Sequence, residues 1–363
     1  MDGVGHGVDR AELAAYLSTE LDVEVTDTEV LSDKLNLIVA ISTPDDERAY
    51  VLHRPNGLRK TDPFNDLEQE YRVLQRLQDA AIPTQTPVLF REDDSIVGDA
   101  FVVTTHLDGE PIPLGTDLPE RFRDPGARSR VARLLTDTLA DINTLDVEPF
   151  EGVCERKPPL EQVVRAADRL DAATDVTGRD LPTLRSVGDW LRENPPSEPV
   201  TALVHGDYRP GNVLFAGTED PQLAGGLDWE TATLGDPRTD LGYLLLRWRD
   251  DGDPTPSLDA LEGSYSRDAM RGLEAVNGSG LCPFSAKPGG PDRRELVARW
   301  EERTGIPFEH ERFFLAHAAF GLATVWEDLY RHRLDASGES GKGAWTEYVA
   351  RLGASIVDGE FDP

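Results

Sequence analysis

Asp207, Asn212 and Asp228 are the residues whose types and spacing could move a phosphoryl group. The run Val204-His205-Gly206-Asp207-Tyr208-Arg209-Pro210-Gly211-Asn212-Val213-Leu214-Phe215 is apolar at both ends and polar in the middle. That is the pattern of two buried strands joined by a loop that Pro210 stiffens and Gly206 and Gly211 loosen. A further apolar strand ends at Gly226-Leu227-Asp228-Trp229-Glu230, and Gly235-Asp236-Pro237-Arg238-Thr239-Asp240 leads into a helix. Phosphoryl transfer from a nucleotide needs a carboxylate to accept or orient the acceptor's hydroxyl proton, and oxygen ligands to hold Mg²⁺ across the phosphates. Asp207 can serve the hydroxyl, Asn212 can reach a metal from the same loop, and Asp228 offers a charged ligand. In a chain with 68 acidic residues any one Asp is a solvated turn residue by default. Specificity lies in the joint pattern, which requires the three side chains to converge.

The first third of the chain must supply the nucleotide side of such a site. A short amphipathic helix is expected over residues 8–21, followed by β-type segments at 23–31, 35–42 and 49–54, a helix over 63–80, and strands at 87–91 and 97–107. On the helix, Leu67, Tyr71, Leu74 and Leu77 form an apolar stripe into which Glu70 falls. A buried carboxylate calls for a cation. After Asp108-Gly109 helical periodicity dominates, with segments at 127–145, 160–173, 181–193, 238–249, 293–304, 310–332 and 344–356, interrupted by the β-rich stretch 202–229. A strand-rich start and a helical remainder predict two lobes, residues 1–107 and 108–363.

Two other motifs carry less. Ser337-Gly338-Glu339-Ser340-Gly341-Lys342-Gly343 lacks the glycine spacing, the Ser/Thr after Lys and the preceding strand of a phosphate loop. His310 and His317 lie on an apolar helical stretch and read as packing residues. There is neither a G-x-S-x-G nor an H-E-x-x-H pattern, so a serine hydrolase and a zinc hydrolase are disfavoured.

The formal charge of -31, from 68 acidic against 37 basic residues, would repel nucleic acid. Such self-repulsion is best screened by concentrated counterions, which points to a salt-rich, halophile-like cytoplasm. Cys154 and Cys282 lie far apart and provide no disulfide framework. No apolar run is long enough to span a membrane and residues 1–10 show no secretory pattern, so a cytoplasmic protein is expected.

The site residues resemble the aminoglycoside phosphotransferase and choline kinase branch of the protein-kinase-like fold. The match is strongest to phosphotransferases similar to the kinase domain attached to some acyl-CoA dehydrogenases, on Tyr50-Val51-Leu52 with Pro55, Glu70-Tyr71-Arg72-Val73-Leu74, Asp207 to Asn212, and Leu296-Val297-Ala298-Arg299-Trp300. The resemblance implies an α+β fold with a small β-rich N-lobe and a larger, mostly helical C-lobe. It implies ATP or another nucleoside triphosphate and Mg²⁺ as cofactors, with Asp207 as catalytic base and Asn212 and Asp228 as metal ligands. His205 becomes a structural residue of the loop, Asp240 a tie to the following helix, and Asp236 a helix cap.

The resemblance also implies a basic residue at the end of the third strand that pairs with Glu70 and the phosphates. In register this position is His53, with Arg54 facing the other side of an ideal strand. Arg54 reaching round at Pro55 is the preferred reading, and His53 is kept beside it. The loop Leu31-Ser32-Asp33-Lys34-Leu35-Asn36 lacks the family's glycines, so Ser32, Lys34 and Asn36 are expected to replace backbone contacts to phosphate. Thr105 and Leu107 would face the adenine edge.

The acceptor implied is a small-molecule hydroxyl compound, a hydroxy acid or its thioester among the candidates, with antibiotic, choline, sugar and amino alcohol also open. The rival reading is a catalytically silent nucleotide-binding pseudokinase with a regulatory role, which His53 and the glycine-poor loop favour and the complete trio disfavours.

Overall fold

The structure, a computed structural model, describes residues 9–33, 35–56, 64–80, 82–92, 94–259, 261–337 and 342–361, without the side chains of 333–337. Its chain divides into two compact units. The first comprises residues 1–109 with 152–154 and 224–232, and the second comprises 110–151, 155–223 and 233–363.

In the first unit Asp9 accepts hydrogen bonds from the amides of Ala11 and Glu12 and so starts α1 (Arg10–Leu21). The strands β1 (Asp27–Asp33), β2 (Asn36–Ser42), β3 (Tyr50–Pro55), β4 (Pro87–Arg91) and β5 (Phe101–Thr105) form an antiparallel sheet in the order β1-β2-β3-β5-β4, with α2 (Leu67–Leu77) between β3 and β4 in sequence. Alternation places Leu37, Val39, Ile41 and Leu52 on the face that buries Leu13 and Leu17 of α1 together with Phe101 and Val103. The expected loop at 31–36 is much shorter than foreseen. β1 runs on to Asp33 and β2 begins at Asn36, so Ser32 is a strand residue paired with Ile38, just past a bulge after Val30. Lys34 lies outside the described residues.

The second unit holds α3 (Pro125–Asn143), α4 (Pro159–Thr177), α5 (Pro182–Glu193), β6 (Ala202–Val204), β7 (Val213–Ala216), β9 (Thr233–Gly235), α6 (Arg238–Leu245), α7 (Arg267–Val276), α8 (Arg293–Thr304), α9 (Glu311–Ser337) and α10 (Lys342–Val357); β8 (Gln222–Gly226) runs across the division between the units. β6 pairs antiparallel with β9, a strand that the polar run Gly235-Asp236-Pro237 concealed. α7 was not foreseen either: a ten-residue helix between loops offers only Ala269, Met270, Leu273 and Val276 as a buried stripe. α9 is the central element of this unit, packing on α4, α6 and α10.

α6 approaches α9 so closely that a Cβ on Gly242 would lie 2.7 Å from the backbone oxygen of Phe314. Helix propensity alone would make Gly242→Ala stabilising by about 1 kcal/mol. The contact with rigid backbone reverses the sign, and Gly242→Ala is expected to lower the unfolding free energy by about 1–3 kcal/mol. Denaturant unfolding checks this, and a more stable variant would show that α6 and α9 are not in contact there.

Candidate active site

Asp240, in the first turn of α6, is 1% exposed and accepts the backbone N–H groups of His205 at 2.8 Å and Gly206 at 2.9 Å. Gly206 has a φ of 84°, which a side chain would resist, so the chain can turn sharply after His205 and raise Asp207. The His205 ring is fully buried, its Nδ1 accepts the Asp207 amide at 3.4 Å, and Tyr208 is anchored by donating to the Leu135 carbonyl at 2.8 Å. The loop is thus fixed from beneath by groups that face away from solvent.

Asp207 itself is partly open, with 23% of its side chain exposed. Its Oδ1 accepts the Tyr243 hydroxyl at 2.6 Å, its Oδ2 accepts Asn212 Nδ2 at 2.8 Å, and Arg209 Nε lies 3.0 Å from Oδ2. Burial would raise its pKa, but the charges of Arg209 and Arg247, the Tyr243 hydrogen bond and the neighbouring His205 together hold it below the ordinary carboxylate value. Asp207 is therefore an ionised acceptor at neutral pH, suited to orienting a hydroxyl. The Asn212 amide gives its hydrogens to Asp207, to the backbone carbonyl and to Oδ2. Its Oδ1 makes no hydrogen bond among the described residues, although the residue is 1% exposed.

The second group of residues lies in the first unit. His53 Nδ1 stands 3.7 Å from Glu70 Oε1, both side chains being largely buried. Burial would lower the imidazole's pKa, yet the interaction with Glu70 and the charges of Asp228 and Glu230 outweigh it, and His53 is held above 6.5. Its Nε2 is buried without a hydrogen-bond partner among the described residues. Asp228 follows β8 with φ 57° and ψ 61°, a left-handed conformation that costs a non-glycine residue roughly 1–2 kcal/mol. Its segment is secured within this unit. Gly226 exchanges hydrogen bonds with Pro83 and Thr84, and Asn65 binds the carbonyls of Glu230 and Ala232.

The family model for the phosphotransferase enzyme family matches residues 27–274, which include every one of these groups. The chain belongs to the phosphotransferase enzyme family. This phosphotransferase is 30% identical over 309 residues to acyl-CoA dehydrogenase family member 11 of Gallus gallus, an alignment covering 81% of the chain and 35% of that relative. The chain therefore spans about a third of the curated relatives it matches. Among solved structures, a candidate aminoglycoside phosphotransferase from Ralstonia eutropha superposes with a TM-score of 0.71 at 23% identity, covering 97% of this chain and 99% of that one. A spectinomycin phosphotransferase in complex with ADP and spectinomycin gives a TM-score of 0.57 at 12% identity, with 97% and 99% covered. These likenesses establish the protein-kinase-like fold.

Against the residues named from sequence, the phosphotransferase joins Asp207 to Asn212 and His53 to Glu70. Arg54, the preferred partner of Glu70, is a correction. It follows strand alternation to the opposite side, where Nη1 donates to the Val97 carbonyl and Nη2 to Asn56 Oδ1 at 2.7 Å. Asn36 Oδ1 is buried without a hydrogen-bond partner among the described residues, and Ser32 is only partly buried on β1. Thr105 gives its amide to the Thr86 carbonyl and accepts the Thr86 amide on its hydroxyl, so neither group is directed to a ligand. Leu107 packs against β8, where a Cβ on Gly225 would come within 2.6 Å of it. Asp236 lies one residue before Pro237, the N-cap of α6, and accepts the Arg238 amide at 3.1 Å. It is fully buried and paired with Arg238 at 2.7 Å.

Tyr243 and Arg247 escaped the reading of the sequence, though a signal existed, since they lie three and seven residues after Asp240 and share its helical spacing. His317 is a packed, neutral imidazole stacked on Phe313, with burial pushing it down to about 4.

Two outcomes follow from the first-unit residues. Because the folded pKa of His53 lies above its ordinary value, the pairing with Glu70 stabilises fully below pH 6.5 and fades as pH rises through the raised value. Replacing His53 by Gln should accordingly cost more stability at about pH 6 than at about pH 9, and equal losses in thermal unfolding at both would contradict the pairing. Asp228→Gly should be more stable than Asp228→Ala by about 1 kcal/mol, since both lack the carboxylate and only glycine relieves the backbone; equal stability would remove the strain.

Proposed function

We propose that this protein is an ATP-dependent, Mg²⁺-requiring kinase that transfers the γ-phosphoryl group to a hydroxyl of a small molecule. The observation that carries the reading is the Asp207 carboxylate, held ionised and fixed by Tyr243 and Asn212 on a loop anchored from below. Phosphoryl transfer passes through a loose transition state, so positioning the acceptor hydroxyl matters more than a strong base. Asp207 accepts the hydroxyl's hydrogen bond, and the proton passes to a carboxylate oxygen as the new O–P bond forms. The bond from phosphorus to the leaving nucleoside diphosphate breaks.

The remaining groups support the nucleotide. Among the described residues no three His, Cys, Asp or Glu side chains gather to hold a metal alone. Mg²⁺ fits such a chain, because it commonly takes one or two carboxylates and completes its shell with phosphate oxygens and water. Asn212 Oδ1, which makes no hydrogen bond among the described residues, and the Asp228 carboxylate would hold it. When bound, the ion neutralises charge that develops on the phosphates. His53, in its charged form, would meet a phosphate oxygen through Nε2, with Glu70 keeping the ring in place, while Ser32 and Asn36 would serve the phosphate side and the backbone near Thr105 and Leu107 the base. ADP in the spectinomycin enzyme's complex and GDP in that of an aminoglycoside 2'-phosphotransferase support a nucleotide at this place, ATP or another nucleoside triphosphate. A soluble, cytoplasmic enzyme working in concentrated salt is the setting that the charge of -31 favours.

The silent nucleotide-binding alternative draws on a titratable His53, where the resemblance implies a permanent cation, and on the glycine-poor turn between β1 and β2. The two readings part on turnover. Purified protein with ATP and Mg²⁺ is screened for ADP release against hydroxylated metabolites at high and low KCl. Asp207→Asn should lower turnover about 10²–10⁴-fold while keeping the thermal shift given by nucleotide. Near-normal turnover in that variant would remove Asp207 from the reaction, and nucleotide binding with no acceptor-stimulated ADP release would favour the silent protein.

A further inference from the structure

Within the second unit Asp207 is crowded by donors. Its Oδ1 accepts the Tyr243 hydroxyl at 2.6 Å and its Oδ2 the Asn212 amide at 2.8 Å, while the Nε–H of Arg209 is shared between the two oxygens at 3.2 and 3.0 Å. A carboxylate offers about four lone-pair sites, and these contacts take them all. An acceptor hydroxyl can therefore donate to Asp207 only if one of the donors leaves.

The three donors are not held alike. Tyr243 sits on α6, its ring centroid 3.7 Å from the Arg247 guanidinium and its carbonyl bound by Arg247 Nη1 at 2.7 Å. Asn212 is 1% exposed, and its amide also holds the Asp207 carbonyl at 3.1 Å. Arg209 leaves 30% of its side chain exposed beside 23% for Asp207, so this pair is open to solvent. A hydrogen shared between two acceptors meets each in bent geometry, and a partly exposed ion pair is worth about 1 kcal/mol or less. Arg209 Nη1 also rests over Gly211, where a Cβ would lie 2.1 Å from it. The donor that can leave is Arg209.

We propose that Arg209 is a catalytic residue that exchanges partners: it covers Asp207 in the resting protein, yields that carboxylate to the acceptor hydroxyl, and then binds the oxygens of the phosphoryl group in transfer. The inference deepens the phosphotransferase reading and rests on it. The hydroxyl oxygen forms the new O–P bond, its proton passes to Asp207, the bond to the nucleoside diphosphate breaks, and Arg209 keeps its protons throughout. Its stem leaves the chain two residues after Asp207. A guanidinium displaced from the carboxylate thus stays within reach of a phosphorus joining the hydroxyl that Asp207 orients. Its fork of N–H donors matches phosphoryl oxygens, over which charge is spread in a loose transition state.

Two variants separate the cover from the clamp. Arg209→Met removes both, whereas Gly211→Ala pushes the flexible guanidinium from its resting place and leaves the cation on the chain. ADP release with ATP and Mg²⁺ is followed against the concentration of glycerol and of hydroxybutanoate. Arg209→Met should lower kcat about 10²–10³-fold, and it should lower the acceptor KM about two- to fivefold, since no ion pair has to be broken. Gly211→Ala should lower KM alike and keep most of kcat, and Arg209→Lys should recover part of the kcat that Arg209→Met loses. An unchanged kcat in Arg209→Met overturns the proposal. So does a KM that rises as kcat falls, the result of a merely structural role.

A second arm needs no turnover and decides alone if neither compound is phosphorylated. Thermal stabilisation by ADP with Mg²⁺ is compared with that by ADP, Mg²⁺ and fluoroaluminate, a mimic of the phosphoryl group in transfer. Fluoroaluminate should stabilise the wild type further, and Arg209→Met should lose that gain while keeping the shift given by ADP. An equal gain in both proteins, or none in the wild type, overturns the proposal and leaves the nucleotide reading in place. No shift with ADP and Mg²⁺ defeats that reading and the proposal with it. Should Arg209→Met not fold, an unchanged KM in Gly211→Ala or an unchanged kcat in Arg209→Lys overturns the exchange.

Discussion

The loop that carries Asp207 depends on one buried carboxylate. Asp240 takes the amides of His205 and Gly206 and also lies 3.5 Å from Asn143 Nδ2, while Asn143 in turn binds the Leu203 carbonyl and accepts Trp300 Nε1. Three elements, α3, β6 and α8, are thereby tied to the start of α6 through hydrogen bonds that water cannot reach. Burial pushes Asp240 up to about 6 in spite of these donors, so the protein keeps an expensive group where it fixes backbone direction. The return is a loop that presents Asp207 with little freedom, and positioning is what phosphoryl transfer needs.

A second tension is electrostatic. The surface carries most of a large acidic excess, and its many exposed pairs, such as Arg10 with Asp27 and Arg271 with Asp268, contribute little each. Inside, positive charge is distributed with more economy. Buried guanidiniums at Arg238 and Arg293 hold loops and helix ends against carboxylates. Arg209 and Arg247 instead lie near the Asp207 carboxylate and lower its pKa.

The first unit shows a related economy. Glu70, buried on α2, takes as its cation a histidine, whose charge is conditional on pH. Asp228 and Glu230 add to the field that raises the pKa of that imidazole, and Asp228 is itself in a backbone conformation that glycine would adopt more easily. Strain and conditional charge have collected on Asp228 and His53, where stability alone would have chosen glycine and lysine.

Much of this was legible in the linear chain. The strand-rich first third, most helices, and the Asp207–Asn212 loop follow from apolar periodicity and from turn residues at fixed offsets, which act over a few residues and need no knowledge of distant partners. The buried place of Glu70 was equally visible, because helical spacing determines which face a side chain joins. Other features were settled only by packing. That His53 faces Glu70 while Arg54 turns to Val97 depends on sheet register. That Arg293 meets two carboxylates depends on residues dozens of positions away. Sequence specifies which charges exist and their local direction; only the folded chain decides which of them meet, since pairing across long separations is set by the closing of the core rather than by neighbours.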